Sequence, residues 1–327
     1  MFKVEYPITQ VIYGLNALDW LVSVKGKRIA LVTTRSLLKS KILEQILSLI
    51  NAEVIEGPRQ HTPVGDVNNL TERLKGYDVV IGLGGGSVID GIKLSFNGYY
   101  IAIPTTFSGA EHTRSGGATI DGIKKSRIGK EADAIILDPR ATLETPKWLL
   151  IASGVRAIDH AVEALYSKDS TPFTDSLAIE GYKKLVKCIR DLDSIENRAL
   201  CQIGTWLSSL TMRYAKMGIS HNFGYIYGPR FNIPHGVTSC ISLPSAIKLN
   251  YSVAKNKLRE IENEGEPLYE FMDKFLKDIG AKRRLSEFTT LDEALKYVQT
   301  FIQIVNNTGN PVKIDIETAK RFIEEVF

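Results

Sequence analysis

The stretch Asp78-Val-Val-Ile-Gly-Leu-Gly-Gly-Gly-Ser-Val-Ile-Asp-Gly-Ile-Lys-Leu94 runs from an apolar segment through clustered glycines into a helical pattern. A short β-branched run of this kind suits a strand buried on both faces. Glycines lack a side chain, so a backbone built from them can approach a pyrophosphate closely. A helix opening directly after them points unpaired N–H groups at that anion. Gly84, Gly85, Gly86 and Ser87 therefore form a candidate phosphate cradle. The spacing differs from G-x-G-x-x-G, and the run follows the third strand candidate instead of the first. A tight strand-to-helix turn without ligand explains the same residues. Asp90 and Lys93, on the first turns of the helix, would equally make a surface ion pair.

On either side the same grammar continues. Arg28-Ile-Ala-Leu-Val-Thr33, Ala52-Glu-Val-Ile-Glu56, Tyr99-Tyr-Ile-Ala-Ile103 and Ala134-Ile-Ile-Leu137 read as strands. Helical patterns over 39–50 and about 67–75 lie between them. Strands alternating with helices predict a parallel sheet covered on both faces. Asp121-Gly122 carries hairpin chemistry, so a two-stranded excursion is expected between Gly116 and Arg127. Pro104-Thr-Thr-Phe-Ser-Gly109 follows the next strand, and its Thr105, Thr106 and Ser108 hydroxyls suit phosphate or ribose contacts; a ligand-free turn is the plain reading. After Asp138-Pro139 the apolar residues recur at helical spacing, including around 268–279 and 318–327. The expected organisation is an α/β dinucleotide-binding domain over 1–146 and an all-helical domain over 147–327, with ligands in a cleft between them.

Composition narrows the function. The 327 residues are 44% hydrophobic and 24% charged, which fits an ordinary globular protein and excludes disorder. No run reaches a membrane span, and the opening Met1-Phe-Lys-Val-Glu-Tyr-Pro7 lacks a signal peptide's apolar core. Cys188, Cys201 and Cys240 are too few for a disulfide framework or a cysteine zinc site, so a reducing cytoplasm is expected. A net charge of +4, with basic and acidic residues interleaved, gives no reason to expect nucleic acid. A small-molecule substrate is expected, and a homodimer is left open. Of the five histidines, His160, His221 and His235 sit beside glycine or small residues in the helical half and would make a divalent site, although a carboxylate usually accompanies such a trio.

Taken together, these segments resemble the iron-containing alcohol dehydrogenase family. The resemblance is carried by Gly84-Gly-Gly-Ser-Val-Ile-Asp-Gly-Ile-Lys93, Pro104-Thr-Thr-Phe-Ser-Gly-Ala-Glu-His-Thr113, Asp138-Pro139, His160-Ala-Val-Glu163 and Pro234-His-Gly236, in family order over nearly the whole chain. Ile12-Tyr-Gly14, His61-Thr-Pro-Val64, the short Pro104 loop and Arg230-Phe-Asn-Ile-Pro-His235 look most like its maleylacetate reductase branch. The resemblance implies a dehydroquinate-synthase-like fold, an NAD or NADP cofactor, and hydride exchange with a small alcohol or carbonyl, including a maleylacetate-like keto acid. It implies that Gly84, Gly85, Gly86 and Ser87 cradle the pyrophosphate, with Asp90, Lys93, Thr105, Thr106, Ser108 and Lys124 lining the cofactor cleft. It matches His160, His221 and His235 to three ligands of an iron or zinc ion. Two positions depart from the family. Arg156 stands where the ligand Asp is expected, and Tyr225 replaces a further histidine.

Those departures set the remaining expectations. With Arg156 beside the ligands, metal binding is expected to be weak or absent, Arg156 taking over alkoxide stabilisation or holding a substrate carboxylate. Tyr225 and His112 are the candidate proton carriers. Thr34 and Arg35 follow the first strand where NAD-preferring relatives often carry an Asp, so NADPH should be tolerated. The competing reading is a non-catalytic or divergent nucleotide-binding relative that has lost its metal site.

Overall fold

The computed structural model describes residue 4 and residues 9–327. The leader reading of Met1–Pro7 therefore falls, Val4 apart, outside the described residues. Two compact units emerge: the first holds residues up to Leu150 together with Asp191–Gln202, the second Ile151–Arg190 and Ile203–Phe327.

In the first unit, β1 (Gln10–Tyr13), β2 (Ile29–Thr33), β3 (Glu53–Glu56), β4 (Val79–Gly84), β5 (Tyr99–Pro104) and β8 (Ala134–Leu137) form one sheet in the order β1-β8-β5-β4-β2-β3. Every pairing is parallel. Helices α1 (Lys41–Leu49), α2 (Val64–Arg73) and α3 (Gly86–Ser95) connect the strands. All residues of β2, β4 and β8 are buried, which is why these strands read as unbroken apolar runs. One core cluster includes Leu31, Ile81, Ile101 and Ile136 packed with Ile42, Leu43 and Ile46 of α1. The expected excursion is present as β6 (Ser115–Ile120) and β7 (Ile123–Ile128), an antiparallel pair. Its turn residues Asp121 and Gly122 have φ of 53° and 73°, the backbone that a tight right-twisted hairpin requires.

The strand order reverses between two neighbours. From β2 the chain moves outward to β3, and from β4 it moves the other way to β5. The carboxyl ends of β2 and β4 thus flank the switch point at which open α/β sheets bind dinucleotides. Strand β1 escaped the sequence reading because it is a short edge strand, exposed at both ends and only half-buried between them. Counting it makes β4 the fourth strand of the chain.

The rest of the chain is helical, residues 147–150 and 195–202 counting with the first unit. Helix α4 (Lys147–Tyr166) leads into α5 (Pro172–Cys188), α6 (Ile195–Leu210), α7 (Ile219–Arg230) and α8 (His235–Leu258). Next come α9 (Leu268–Asp278), α10 (Leu291–Leu295), α11 (Val298–Val305) and α12 (Ile316–Val326). Local chemistry explains several starts: Thr171 and Thr174 make a capping box on α5, and Asp315 accepts from Thr318 N at 2.8 Å to begin α12. Cys240 is a buried free thiol, whereas Cys188 and Cys201 are disulfide-bonded, which cysteine counting did not anticipate. No helix among the described residues is long and apolar enough to cross a membrane.

Candidate active site

The glycine turn closes β4 and opens α3. Gly85 is the N-cap, and no side chain caps the helix, which leaves its first amides for a ligand. Close packing dictates the residue type here: a Cβ on Gly84 would lie 2.7 Å from Val88 Cγ2. A Cβ on Gly85 would lie 3.1 Å from Thr106 Cγ2, a tight approach, whereas one on Gly86 would make an ordinary contact 3.4 Å from Ser108 Oγ. Gly84 pairs in register with Pro104, so the hydroxyl loop stands beside the turn at the ends of adjacent strands. Thr106 Oγ1 and Ser108 Oγ are buried without a hydrogen-bond partner. Buried hydroxyls are normally satisfied, and a phosphate at this uncapped helix start would satisfy both. The residues fit a dinucleotide. Thr105 differs from its neighbour: its N–H donates to Gly84 O at 3.0 Å, and its carbonyl accepts from Thr145 Oγ1 at 2.8 Å.

Thr34 and Arg35 follow β2 on the other side of the switch point. The Thr34 hydroxyl lies 2.9 Å from Ser36 Oγ, and Arg35 is exposed. Asp90, Lys93 and Lys124 form a buried ion cluster instead of a surface pair. Lys124 Nζ is 3.1 Å from Asp90 Oδ2, and Lys93 Nζ is 3.7 Å from Asp90 Oδ1. Lys93 also donates to the Ala110 carbonyl, to Thr113 Oγ1 at 3.0 Å and to Ser115 O at 2.8 Å. Its ammonium is thus engaged in tying α3 to the following loop and hairpin, and burial holds its pKa below the usual lysine range. His112 is buried, with Nε2 3.3 Å from a Glu111 carboxylate oxygen.

The second unit brings the other candidates together. The ring of His221 lies 5.3 Å from that of His160, 6.0 Å from that of His235 and 4.9 Å from that of Tyr225, centroid to centroid. His160 Nδ1 faces Ser209 Oγ at 3.2 Å; burial, then Arg156, hold its pKa well below the usual histidine value. Glu163, on α4, replaces the side-chain cap that Gly218 lacks. Its carboxylate accepts from Gly218 N at 2.7 Å, Ser220 N at 2.8 Å and His221 N at 3.2 Å, which fixes the start of α7 and the place of His221. Burial, reinforced by Asp159, pushes Glu163 up to about 8 against the pull of those donors.

Arg156 occupies the middle of this arrangement and is 1% exposed. Its Nη1 donates to Asp159 Oδ2 at 3.2 Å and Ser239 Oγ at 3.0 Å, and its Nη2 donates to His221 O at 3.3 Å. The same Nη2 lies 2.9 Å from His235 Nε2. A guanidinium has no lone pair for a metal and keeps its charge. At 4 Å and an effective dielectric of 20, each unit of like charge costs about 4 kcal/mol, and a dication about twice that. The residues present therefore do not fit a divalent cation. Among the described residues, no group of three His, Cys, Asp or Glu side chains is arranged to hold one.

Sequence reasoning passed over several partners. Asp159 and Glu163 are the two carboxylates that helical spacing offers Arg156 as ion-pair partners, and the structure selects Asp159. The Ser220 and Ser239 hydroxyls donate to Asp159 Oδ2 at 2.8 and 2.5 Å, and nothing in their spacing announces it. His61 and Thr62 have φ of 64° and 51°, a left-handed pair that a β-branched residue rarely adopts. Thr119 of the hairpin holds that pair, its hydroxyl donating to His61 O at 2.6 Å and its N–H to Thr62 O at 2.9 Å.

Comparison with known proteins agrees with both halves. The iron-containing alcohol dehydrogenase family matches residues 8–139, and the C-terminal model of the same family matches residues 150–327. A maleylacetate reductase of Pseudomonas knackmussii is 28% identical, with 99% of this chain and 97% of the relative covered. A dehydrogenase of Gibberella moniliformis is 32% identical over 72% of this chain and 70% of its own. Among solved structures, an iron-containing alcohol dehydrogenase from Corynebacterium glutamicum superposes with a TM-score of 0.89 at 22% identity, covering 100% of this chain and 97% of the other. A maleylacetate reductase from Agrobacterium tumefaciens gives 0.87 at 24%, covering 100% and 98%. The chain belongs to the iron-containing alcohol dehydrogenase family and is an oxidoreductase of the alcohol dehydrogenase and reductase kind.

Proposed function

We propose that the protein exchanges hydride between NAD(P) and a small carbonyl or alcohol, a keto acid of the maleylacetate type being the leading substrate. The observation that carries the cofactor reading is the uncapped start of α3 at the sheet's switch point, faced by the orphaned Thr106 and Ser108 hydroxyls. The substrate reading is supported by maleylacetate reductases that align over nearly the full chain. When bound, the nicotinamide supplies or accepts the hydride. The chain's own work begins at the pyrophosphate, which the first amides of α3 and the two hydroxyls hold in place. Arg35 offers an exposed guanidinium to a ribose 2′-phosphate. Lys93, Lys124 and Asp90 set the position of α3 against the hairpin from inside. On the helical side, the Tyr225 hydroxyl is assigned proton donation, beside His221 and His235. His112, against Glu111, is assigned as a second proton carrier.

The non-catalytic reading is less favoured, because the relatives that align over nearly the full chain are reductases. Nicotinamide absorbance, followed with maleylacetate, other keto acids, aldehydes and alcohols, tests the proposal. Turnover of a keto acid with NADH or NADPH is expected. Tight cofactor binding with no turnover of any compound would overturn the enzymatic assignment. Turnover confined to alcohols and aldehydes would overturn the keto-acid choice alone.

A further inference from the structure

Arginine has five N–H donors and no acceptor. In Arg156 the two terminal nitrogens meet four acceptors: Asp159 Oδ2, Ser239 Oγ, His221 O and His235 Nε2. The remaining donor, Nε–H, has no partner among the described residues. A guanidinium so engaged cannot also present a two-pronged face to a substrate carboxylate, which removes one of the two tasks expected of Arg156. It can still act on the histidines. Because Arg156 only donates, His235 Nε2 at 2.9 Å must accept, and the proton of a neutral imidazole then sits on Nδ1. A metal bound at Nε2 imposes the same tautomer, with the other ring nitrogen carrying the proton.

We propose that the Arg156 guanidinium, counter-balanced by Asp159, stands in for the family's divalent ion as the cation that organises the histidine cluster. It fixes His235 in the Nδ1–H tautomer and holds the His221 backbone. Asp159 completes the exchange: the carboxylate absent from position 156 reappears one turn along α4, where it accepts from Arg156, Ser220 and Ser239. Arg156 is in this account a positioning residue. The inference goes beyond hydride transfer and does not depend on the identity of the substrate.

Two measurements on the wild-type protein test it without any activity assay. Elemental analysis after anaerobic incubation with Fe²⁺ or Zn²⁺ and desalting is expected to find no stoichiometric metal; about one ion per chain would overturn the proposal. Nitrogen-15 NMR of histidine-labelled protein, with His235 assigned through His235→Gln, is expected to find Nδ1 protonated and Nε2 bare. An Nε2–H tautomer, or an even mixture, would overturn it as well. A gain-of-function variant adds a positive arm. Arg156→Asp restores the family carboxylate and is expected to take up about one ion per chain. If it folds by circular dichroism and still excludes metal, Arg156 is not what excludes it. If it does not fold, the two wild-type measurements decide alone. Arg156→Lys, which keeps the charge but loses the fork, is expected to exclude metal while releasing the His235 tautomer. Failure of the nicotinamide assay leaves all these readouts intact, so the two proposals stand or fall separately.

Discussion

At the scale of single residues, His61 shows how backbone and charge act together. Burial first, then Lys124, push its imidazole from 6.5 down to about 4. The folded state therefore holds the neutral ring more firmly than the unfolded chain does. Its contribution to stability is complete above pH 6.5 and is lost as the pH falls through about 4. The imidazole remains partly open to solvent, so the loss is on the order of 2 kcal/mol once screening is allowed for. His61→Asn tolerates the left-handed backbone and removes the titration. The transition of the first unit should depend less on pH between 6.5 and 4 in this variant than in the wild type, and parallel curves would sink the assignment. Arg35 supplies a second residue-scale prediction. A charge-assisted phosphate contact at an exposed site is worth about 1.5 kcal/mol, so Arg35→Ala should raise KM for NADPH roughly 10-fold while leaving that for NADH near its original value. Equal changes for both cofactors would remove Arg35 from the 2′-phosphate.

At the scale of elements, α3 and the β6–β7 hairpin act as one piece through Lys93. Replacing it with Met takes the charged donor from the Ala110 and Ser115 carbonyls, which keep only Thr113, and leaves Asp90 with Lys124 alone. Breaking one member of a buried ion cluster costs on the order of 3–5 kcal/mol. A fall in urea midpoint at unchanged slope measures it, and a loss below about 1 kcal/mol would show that Lys93 is replaceable. The same elements explain what the sequence made legible. β2, β4, β5 and β8 announced themselves because burial on both faces leaves continuous apolar runs, and Asp121-Gly122 because only a few residues tolerate its φ values. β1 stayed hidden because an edge strand needs no such run. The convergence of His160, His221 and His235 was foreseen. The Arg156–Asp159 pair follows from helical spacing, but the bonds of Arg156 to Ser239, the His221 carbonyl and His235 come from α7 and α8, whose packing no local spacing encodes.

At the scale of the whole molecule, two units with separate internal contacts predict more than one unfolding event, so a single transition temperature is not the quantity to follow. The residues proposed as the dinucleotide cradle lie in the first unit, at the ends of β4 and β5 beside β2. A ligand at 100 times its Kd stabilises the state that binds it by about 2.7 kcal/mol. For a unit of 150–250 residues that corresponds to roughly 5–10 °C. NADPH should therefore raise the transition of the first unit by about that much. Hydrogen exchange should slow most at residues 84–87 and 105–108, where amides and hydroxyls meet the pyrophosphate. Sulfate or inorganic pyrophosphate should reproduce part of the protection at the start of α3, because the anion alone meets that requirement. Protection confined to α4, α7 and α8, with the β4–α3 turn exchanging as before, would mean that the dinucleotide binds elsewhere and that the orphaned Thr106 and Ser108 hydroxyls serve another ligand.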